Sequence, residues 1–264
     1  MLTMNTDIFI LARSTSKRLP SKHMKIINGK PIIENLVDRM KKSNKIRKIV
    51  VCTTILASDD KLSEILQKKN IECFRGSDKD IIERLLDAAK FYDTDIIIDV
   101  SGDKIYTDTD YVDKVAEILQ NQDIDFVRGS RSKSKFDPGD HFIHGIIPGG
   151  FKTKTLRKIC QLKKTENTED GYTEFFTSSE WVKKQLLVPD IDINKTEKIK
   201  LDLDYPDDLK LAEIIFEKLG NDFHVQDILK LLEKNPQLVK INEVDIDNWR
   251  ENYAKLKTDF SLKQ

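Results

Sequence analysis

Five basic side chains crowd one short segment near the N-terminus, ILARSTSKRLPSKHM at residues 10–24. The segment overlaps the end of an apolar run, Asp7–Ala12, which is typical of a buried strand. Cations and backbone N–H groups placed after such a strand can bind a triphosphate. A solvated basic loop is the alternative, since neither a Walker A loop nor a GxGxxG fingerprint follows the run. The five cations are Arg13, Lys17, Arg18, Lys22 and His23.

A carboxylate ends the most apolar strand-like run of the chain. The run is DIIIDVSGD at residues 95–103, and its last residue is Asp103. In a parallel sheet Asp103 would lie at the same edge as the basic segment, because the carboxyl ends of parallel strands share one edge. Mg²⁺ is usually held by one or two carboxylates together with substrate phosphates. Asp103 is therefore either a metal ligand or a cap of the following turn.

A second acidic group stands in LDLDYPDDL at residues 201–209. In an extended chain Asp202 and Asp204 would share one face, opposite the two leucines. Asp207 and Asp208 fall in the first turn of a predicted helix, where carboxylates stabilise the helix dipole. Asp202 and Asp204 have no such role, so we expect them to face a cation or an arginine.

The composition limits the classes of function. The chain has 264 residues with 45 basic and 45 acidic side chains, so its net charge is zero. A nucleic-acid-binding protein would favour a basic excess, so the basic segment needs a local explanation. The three scattered cysteines predict neither a disulfide framework nor a zinc site. We see no signal peptide and no run near the roughly 18 apolar residues of a membrane helix, so we expect a cytoplasmic protein.

The elements that would position these residues alternate in the first half of the chain. Apolar strand-like runs are separated by amphipathic stretches whose apolar residues recur at i, i+3, i+4 and i+7. This order predicts an α/β fold with a mostly parallel sheet flanked by helices, and ligands at the carboxyl ends of its strands. The predicted strands are 7–12, 48–54, 71–76, 95–103 and 125–129. The predicted helices are 31–43, 59–70, 80–92 and 110–122.

The second half has a less regular pattern. Residues 130–150 indicate a long loop, or a loop and a hairpin, and loops of this length are usually functional. Residues 198–204 predict a short strand that leads through a turn with Pro206 into an amphipathic helix ending near residue 220, and the last residues predict a peripheral tail. Further helices are predicted near 151–161, 173–184 and 224–235.

In combination, these segments resemble a known family. ARSTSKRLPSK followed by INGKPIIENLVDRM is similar to the nucleotide-binding opening of CMP-Kdo synthetases and SpsF-type cytidylyltransferases, an acylneuraminate cytidylyltransferase-like group. The resemblance covers about residues 7–242. It continues in the same order through CFRGSDKDIIERLLDAA, DVSGD, LDYPDDL and DILKLLEKNPQLVKIN.

The resemblance implies a fold and an activity. The fold would be a GT-A-like, Rossmann-like nucleotidyltransferase domain at residues 1–246, with an acceptor and dimerisation segment at about 130–185 and a tail at 247–264. The activity would be Mg²⁺-dependent transfer of CMP from CTP to an acidic sugar, or to a related phosphate or phosphonate. Pyrophosphate would be released, and the product would serve surface glycan or polysaccharide biosynthesis. Mn²⁺ is an alternative metal, and a homodimer is expected.

The same resemblance assigns roles to individual residues. Arg13, Lys22 and Asp103 match catalytic positions. Asp103 and Asp204 match metal ligands, with Asp202 as a weaker companion. The nucleotide-binding positions are Ala12, Arg13, Ser14, Arg18, Lys22, Arg75 and Arg84. Arg75 and Arg84 could instead line the acceptor pocket, or form salt bridges in a loop or on a helix surface.

Departures from the family pattern fall mainly in the acceptor segment. Ser21 stands where the family has glycine, and serine adopts a positive φ only at a cost. FDPGDHFIHGIIPGGF at 136–151 and TEDGYTEFF at 168–176 also differ. The acceptor therefore stays open among nonulosonic acids, Kdo-like sugars, phosphorylated polyols and phosphonates. The candidate acceptor residues are His141 and His144, whose HxxH spacing is otherwise incidental, and Glu174.

Other functions fit the same motifs. The enzyme could use UTP, dTTP or ATP, because base choice depends on backbone contacts that a sequence does not display. A nucleotide-binding regulatory module without catalysis, or a structural partner subunit, is a further alternative. The presence of both Asp103 and Asp204 favours an enzyme, since a module that only binds has less need of two metal carboxylates.

Overall fold

A computed structural model describes residues 4–130, 145–169, 171–196, 198–254 and 260–263. Its main feature is a seven-stranded sheet, accompanied by a separate two-stranded hairpin formed by β2 and β3. The strands, numbered along the chain, are β1 Thr6–Leu11, β2 Ile26–Ile27, β3 Lys30–Pro31, β4 Lys48–Thr54, β5 Glu72–Gly76, β6 Ile96–Ser101, β7 Phe126–Gly129, β8 Gly149–Lys152 and β9 Lys184–Leu187.

The strand order in the large sheet is β5-β4-β1-β6-β8-β7-β9. β1 lies near the middle and pairs in parallel with both β4 and β6. β8 alone runs antiparallel to its neighbours β6 and β7, while β7 pairs in parallel with β9. The predicted α/β fold with a mostly parallel sheet is therefore confirmed.

Helices cover both faces of the sheet. Within the described ranges, none of them combines the length and apolarity needed to cross a bilayer. Short 3₁₀ helices occupy Lys22–Met24, Ala57–Asp59, Ile193–Thr196 and Pro236–Ile241. The α-helices are α1 Ile32–Met40, α2 Asp60–Lys68, α3 Ile81–Tyr92, α4 Thr109–Asn121, α5 Thr153–Leu162, α6 Glu174–Ser178, α7 Pro206–Leu219, α8 Val225–Lys234 and α9 Val244–Ala254.

The sheet separates two apolar cores because successive residues of a strand point to opposite faces. In β1, Ile8 and Ile10 belong to the larger core, which includes residues of α1, α4, α7 and α8. Phe9 belongs to the smaller core, which includes residues of α3, α5 and α6. In β6, Ile97 also lies in the smaller core, so Asp99, two residues later, lies on that same face.

Three segments that are distant in sequence meet at the carboxyl edge of the sheet. The backbone N–H of Gly102, after β6, donates to the carbonyl of Leu11 in β1 at 2.8 Å. The N–H of Leu203 donates to the carbonyl of Asp103 at 3.0 Å. Asp208, in the first turn of α7, accepts from the N–H groups of Asp204 and Tyr205 at 2.8 Å each. These bonds place the residues before α7 beside the ends of β1 and β6.

The second half of the chain departs from the sequence-based prediction in three places. The helix predicted at 173–184 is wrong beyond Ser178, because β9 follows at Lys184–Leu187. The strand predicted at 198–204 is not formed, although Leu201 and Leu203 are buried as that pattern required. The short strand β8, GGFK, was missed because its two glycines give no strand signal.

The tail contacts the body of the protein. The ring of Phe260 packs edge-on against that of Phe175 in α6, with centroids 5.5 Å apart. Leu262 forms a backbone bridge with Lys163, just after α5. These contacts bring the end of the described chain to the face of the sheet that carries α6. The domain boundaries predicted from the sequence stay a prediction.

Adjacent glycines in β8 provide a test of the packing between the sheet and α4. A Cβ at Gly150 would lie 2.5 Å from Val115 Cγ1 and 2.8 Å from Leu119 Cδ1, both in α4. We expect Gly150→Ala to lower the free energy of unfolding by about 1–3 kcal/mol through overpacking. Gly149→Ala is the matched control, because its Cβ would meet nothing closer than 3.5 Å. The urea midpoints of the two variants measure their stabilities. Equal midpoints for Gly150→Ala and Gly149→Ala would contradict the close packing of Gly150 against α4.

Candidate active site

The basic segment after β1 forms a closed loop. The N–H of Ser21 donates to the carbonyl of Ser14 at 3.2 Å, so the loop returns to its own start. The N–H of Ser14 donates to Asp59 at 2.6 Å, which fixes the loop to the segment after β4. Ser21 has a φ of 54°, in the left-handed region where glycine is favoured. The serine thus adopts the conformation for which the family pattern uses glycine.

Lys22 lies at the centre of the site, immediately after this turn. Its Nζ lies 2.8 Å from Asp103 Oδ2 and 3.0 Å from Asp204 Oδ1, and it also donates to the carbonyl of Leu203 at 3.0 Å. The residue is only 6% exposed. The guanidinium of Arg18 contacts the other oxygen of Asp204 at 2.8 Å. Two cations and two carboxylates, from three distant segments, therefore form one cluster.

The charges in this cluster stabilise one another. Burial by itself would lower the pKa of Lys22, but the nearby Asp103 and Asp204 raise it well above its ordinary value. Burial also disfavours the ionised form of Asp103, yet the Lys22 ammonium holds the pKa of that carboxyl well below its usual range. Lysine and carboxylate are consequently both charged at neutral pH.

Asp202 is held apart from this cluster by a different lysine. Nζ of Lys200 lies 2.5 Å from Asp202 Oδ1 and 2.5 Å from Asp208 Oδ2. Asn242 donates to Asp208 and to the carbonyl of Lys200, which ties the group to the segment after α8. Asp202 and Asp204 both face a cation, as expected, but Asp202 contacts the buried Lys200 rather than Lys22.

His23 is a packing residue in this structure. Its ring is buried against Gly102, where an added Cβ would lie 2.7 Å from His23 Cε1. Burial and the neighbouring Lys22 charge lower its pKa to about 4, so the ring is neutral at pH 7. The sequence had counted His23 among the cations of the loop, and that part of the prediction is wrong.

The remaining predicted nucleotide-binding residues surround the loop without joining the Lys22 cluster. Ala12 is buried and continues the β1 ladder by donating to the carbonyl of Cys52 at 3.2 Å. Arg75 forms hydrogen bonds with the carbonyls of Thr54 and Leu56 and pairs with Asp60 at 2.7 Å. These contacts brace the turn between β4 and α2.

Two further arginines lie on the side of the sheet that carries α3. Arg84 is buried, and burial together with the positive charge of Arg13 lowers its pKa. Its guanidinium donates to the carbonyls of Ser77 and Asp78 at 2.7 and 3.3 Å. Arg13 pairs with Glu169, which lies after α5. Arg84 therefore holds the turn after β5, and Arg13 connects the first loop to the segment between α5 and α6.

A polar group on this same face contains the predicted residue Glu174 together with Asp99, Arg128 and Tyr172, which sequence reasoning missed. The hydroxyl of Tyr172 donates to Asp99 Oδ2, and Asp99 Oδ1 is buried with no hydrogen-bond partner in the part of the chain that the structure describes. Arg128 contacts Thr173 Oγ1 at 3.2 Å and Glu174 Oε1 at 3.3 Å. Asp99 was visible in the sequence as the one charged residue inside IIIDV. His141 and His144 lie outside the described residues.

A second group of potential metal ligands consists of Asp108, Asp110 and His224, whose ligand atoms lie within 4.8 Å of one another. Asp108 accepts from the N–H groups of Asp110 and Val225 at 3.0 and 2.8 Å. His224 Nδ1 lies 3.0 Å from Asp108 Oδ1, and this hydrogen bond raises the pKa of the histidine. The contacts make this group a shared cap of α4 and α8.

Comparison with known proteins decides the family. A family model described as cytidylyltransferase matches residues 8–186, more than half of the chain. The chain belongs to the cytidylyltransferase family. It is a nucleotidyltransferase with the GT-A-like, Rossmann-like fold of this family, as the N-terminal motif predicted.

Individual relatives support this assignment. The cytidylyltransferase is 22% identical to the spore coat polysaccharide biosynthesis protein SpsF of Bacillus subtilis, over 92% of this chain and 100% of that protein. It is 32% identical to 3-deoxy-manno-octulosonate cytidylyltransferase 2 of Hydrogenovibrio crunogenus, over 46% of this chain and half of that enzyme. A solved cytidylyltransferase from Leptospira borgpetersenii is 28% identical, with a TM-score of 0.77 over 89% of this chain and 97% of that one.

The separation of Asp202 from the Lys22 cluster generates a prediction about stability. Burial raises the pKa of Asp202 to about 7 in the folded protein, against about 4 in the unfolded chain. The folded state therefore binds a proton more tightly between these values, and stability falls as pH rises through that window.

We expect Asp202→Asn, which stays neutral, to lose less stability than the wild type between pH 4.5 and 7.5. Urea midpoints at several pH values measure this difference. Asp38→Asn, which removes a partly buried carboxylate on α1, is the control for a general change in charge. If the urea midpoints of the wild type and of Asp202→Asn change equally with pH across this window, Asp202 is ionised throughout and the raised pKa is wrong.

Proposed function

We propose that this protein transfers CMP from CTP to an acidic acceptor and releases pyrophosphate, for the synthesis of a surface glycan or polysaccharide. The observation that carries the proposal is the cluster of Lys22, Arg18, Asp103 and Asp204 at the carboxyl edge of β1 and β6. Family membership supports the use of CTP. The relatives named for spore coat polysaccharide synthesis and for octulosonate cytidylyl transfer support the pathway class.

The proposed step is a nucleophilic substitution at phosphorus. An acceptor oxygen forms a bond to the α-phosphorus of CTP while the bond from that phosphorus to the bridging oxygen of the β-phosphate breaks. Pyrophosphate leaves with the electron pair of the broken bond. Because the acceptor attacks the phosphorus directly, the protein need not form a covalent intermediate. Arg13, Arg18 and Lys22, from one loop, are the cations that would bind the leaving group and stabilise its charge.

A divalent cation fits the donor set of this site. Asp103 and Asp204 supply carboxylate oxygens, the ligand type that Mg²⁺ and Mn²⁺ prefer. Both already contact one positive charge, Nζ of Lys22, which marks the space between them as a cation position. When bound, the metal would polarise the α-phosphate and lower the pKa of an attacking hydroxyl. Asp103 and Asp204 are the ligands we propose, without Asp202.

The acceptor would bind on the face that carries Asp99, Arg128, Tyr172 and Glu174. Arg128 provides a guanidinium for an acidic group, and it already contacts Glu174. Asp99 Oδ1, which is buried and has no hydrogen-bond partner among the described residues, would accept a hydrogen bond from a hydroxyl or amino group of the acceptor. This mixture suits an acidic sugar, or a phosphate or phosphonate that also carries hydrogen-bond donors. His141 and His144 stay candidates for the same pocket.

Nucleotide specificity can be tested without knowing the acceptor. We expect CTP to raise the melting temperature more than UTP, ATP or GTP, and Mg²⁺ to increase the effect of CTP. A ligand present at 100 times its Kd adds about 2.7 kcal/mol of stability, which a thermal-shift series detects readily. A larger rise in melting temperature with another nucleotide would identify that nucleotide, rather than CTP, as the substrate. No response to any nucleotide, with or without Mg²⁺, would contradict the proposed function.

The role of the metal carboxylates has its own test. We expect Asp103→Asn to fold and to bind CTP with an affinity that Mg²⁺ no longer improves, because one of the two ligands has lost its charge. Calorimetric titration of CTP with and without Mg²⁺ measures the effect. Asp38→Asn, at an exposed ion pair on α1, is the matched control and should keep the wild-type response. A full Mg²⁺ effect in Asp103→Asn would remove Asp103 from the metal site.

A further inference from the structure

Lys22 uses all of its hydrogen-bonding capacity inside the protein. A lysine ammonium has three donors and no acceptor. Nζ of Lys22 donates to Asp103 Oδ2, Asp204 Oδ1 and the carbonyl of Leu203, at 2.8, 3.0 and 3.0 Å. None of its three protons is left for a phosphate oxygen while these bonds exist. Lys22 can therefore hold a phosphate only after it leaves the carboxylates.

Arg18 differs from Lys22 in this respect. A guanidinium has five donors, and Arg18 contacts Asp204 through one nitrogen only, Nη2. Its side chain is 39% exposed, against 8% for that of Lys22. Arg18 can contact a phosphate without giving up Asp204. The two cations that contact Asp204 are thus in different states, and of these two only Lys22 must exchange partners to bind a nucleotide.

We infer that Lys22 is a stand-in cation, which holds the metal carboxylates together and competes with the divalent metal for them. This inference rests on the proposed function, because it concerns the same carboxylates. The metal alone should bind weakly, since it must displace a buried ammonium that then loses both carboxylates and keeps only the carbonyl of Leu203 among the partners described. CTP supplies new partners for Lys22, so CTP and the metal should enter together.

Charge balance explains why the two ligands would be coupled. Asp103 and Asp204 carry two negative charges, and buried like charges without a counter-ion are strongly destabilising. Lys22 and Arg18 already offset that charge, so a divalent cation on its own would leave an excess of positive charge. The triphosphate of CTP brings the negative charge that restores the balance. By linkage, each ligand must raise the affinity of the other by the same factor.

The local structure allows the exchange. The backbone of Lys22 belongs to a 3₁₀ turn that is fixed by the bonds Met24 N to Ser21 O at 2.9 Å and Lys25 N to Lys22 O at 3.2 Å. The ammonium stands at the end of a flexible four-carbon stem. It can therefore change partners by side-chain rotation while the loop keeps its conformation.

The test measures metal binding in the absence of nucleotide. Mn²⁺ is the probe, because electron paramagnetic resonance counts the free ion directly. We expect Lys22→Met to bind Mn²⁺ at least tenfold more tightly than the wild type, within the usual range of coupling between sites. Mn²⁺ should also raise the melting temperature of Lys22→Met more than that of the wild type. Lys17→Met, an exposed lysine of the same loop, is the matched control and should behave like the wild type.

A second measurement uses the wild type alone and does not depend on the folding of a variant. CTP should tighten Mn²⁺ binding at least tenfold, and Mn²⁺ should tighten CTP binding by the same factor. Equal Mn²⁺ affinities with and without CTP would overturn the inference. So would Mn²⁺ affinities that are equal in a folded Lys22→Met and the wild type.

The outcomes separate this inference from the proposed function. If CTP and Mn²⁺ bind jointly to the wild type but Lys22→Met gains no affinity for Mn²⁺ alone, only the stand-in role fails. If neither protein binds Mn²⁺ with or without CTP, the proposed metal site fails and the inference fails with it.

Discussion

The salt bridge that joins Lys22 to Asp103 and Asp204 is the interaction on which the site depends. It connects a loop after the first strand, the end of a strand in the middle of the chain and a segment that precedes a late helix. The contact partners lie 81 and 182 residues apart in sequence. Backbone hydrogen bonds from Gly102 to Leu11 and from Leu203 to Asp103 hold the segments near one another. Without Lys22, the two carboxylates brought together there would lack a shared counter-ion and would repel each other.

A second buried lysine, Lys200, keeps two neighbouring carboxylates apart from the Lys22 cluster. Lys200 contacts Asp202 and Asp208, so of the carboxylates at residues 202–208 it is Asp204 that contacts Lys22 and Arg18. Asp208 also accepts the N–H of Asp204, which fixes the backbone of Asp204 itself. The acidic stretch before α7 is thus divided into a part that contacts Lys200 and a part that contacts Lys22.

The sequence predicted the alternating strands and helices of the first half of the chain. It also singled out Lys22, Asp103 and Asp204, which the structure brings together. The strand 48–54 was predicted to the residue, because its apolar run is continuous and bounded on both sides. The partner of Asp202 was not predictable, since alternation assumes an extended chain and residues 198–204 are irregular. The role of Asp99 was not predictable either, because its contact with Tyr172 exists only in the folded protein.

The antiparallel strand β8 has a consequence for how this enzyme class can diversify. β7 ends at Gly129, and β8 starts at Gly149 opposite Asp99, so the intervening segment leaves and re-enters the sheet at the same edge. A segment placed there begins and ends at the carboxyl edge of β6, where the Lys22 cluster lies. Its length and sequence can change while β1, β4, β5 and β6 keep their register. Under the proposed function, acceptor choice can therefore change independently of the half that binds the nucleotide.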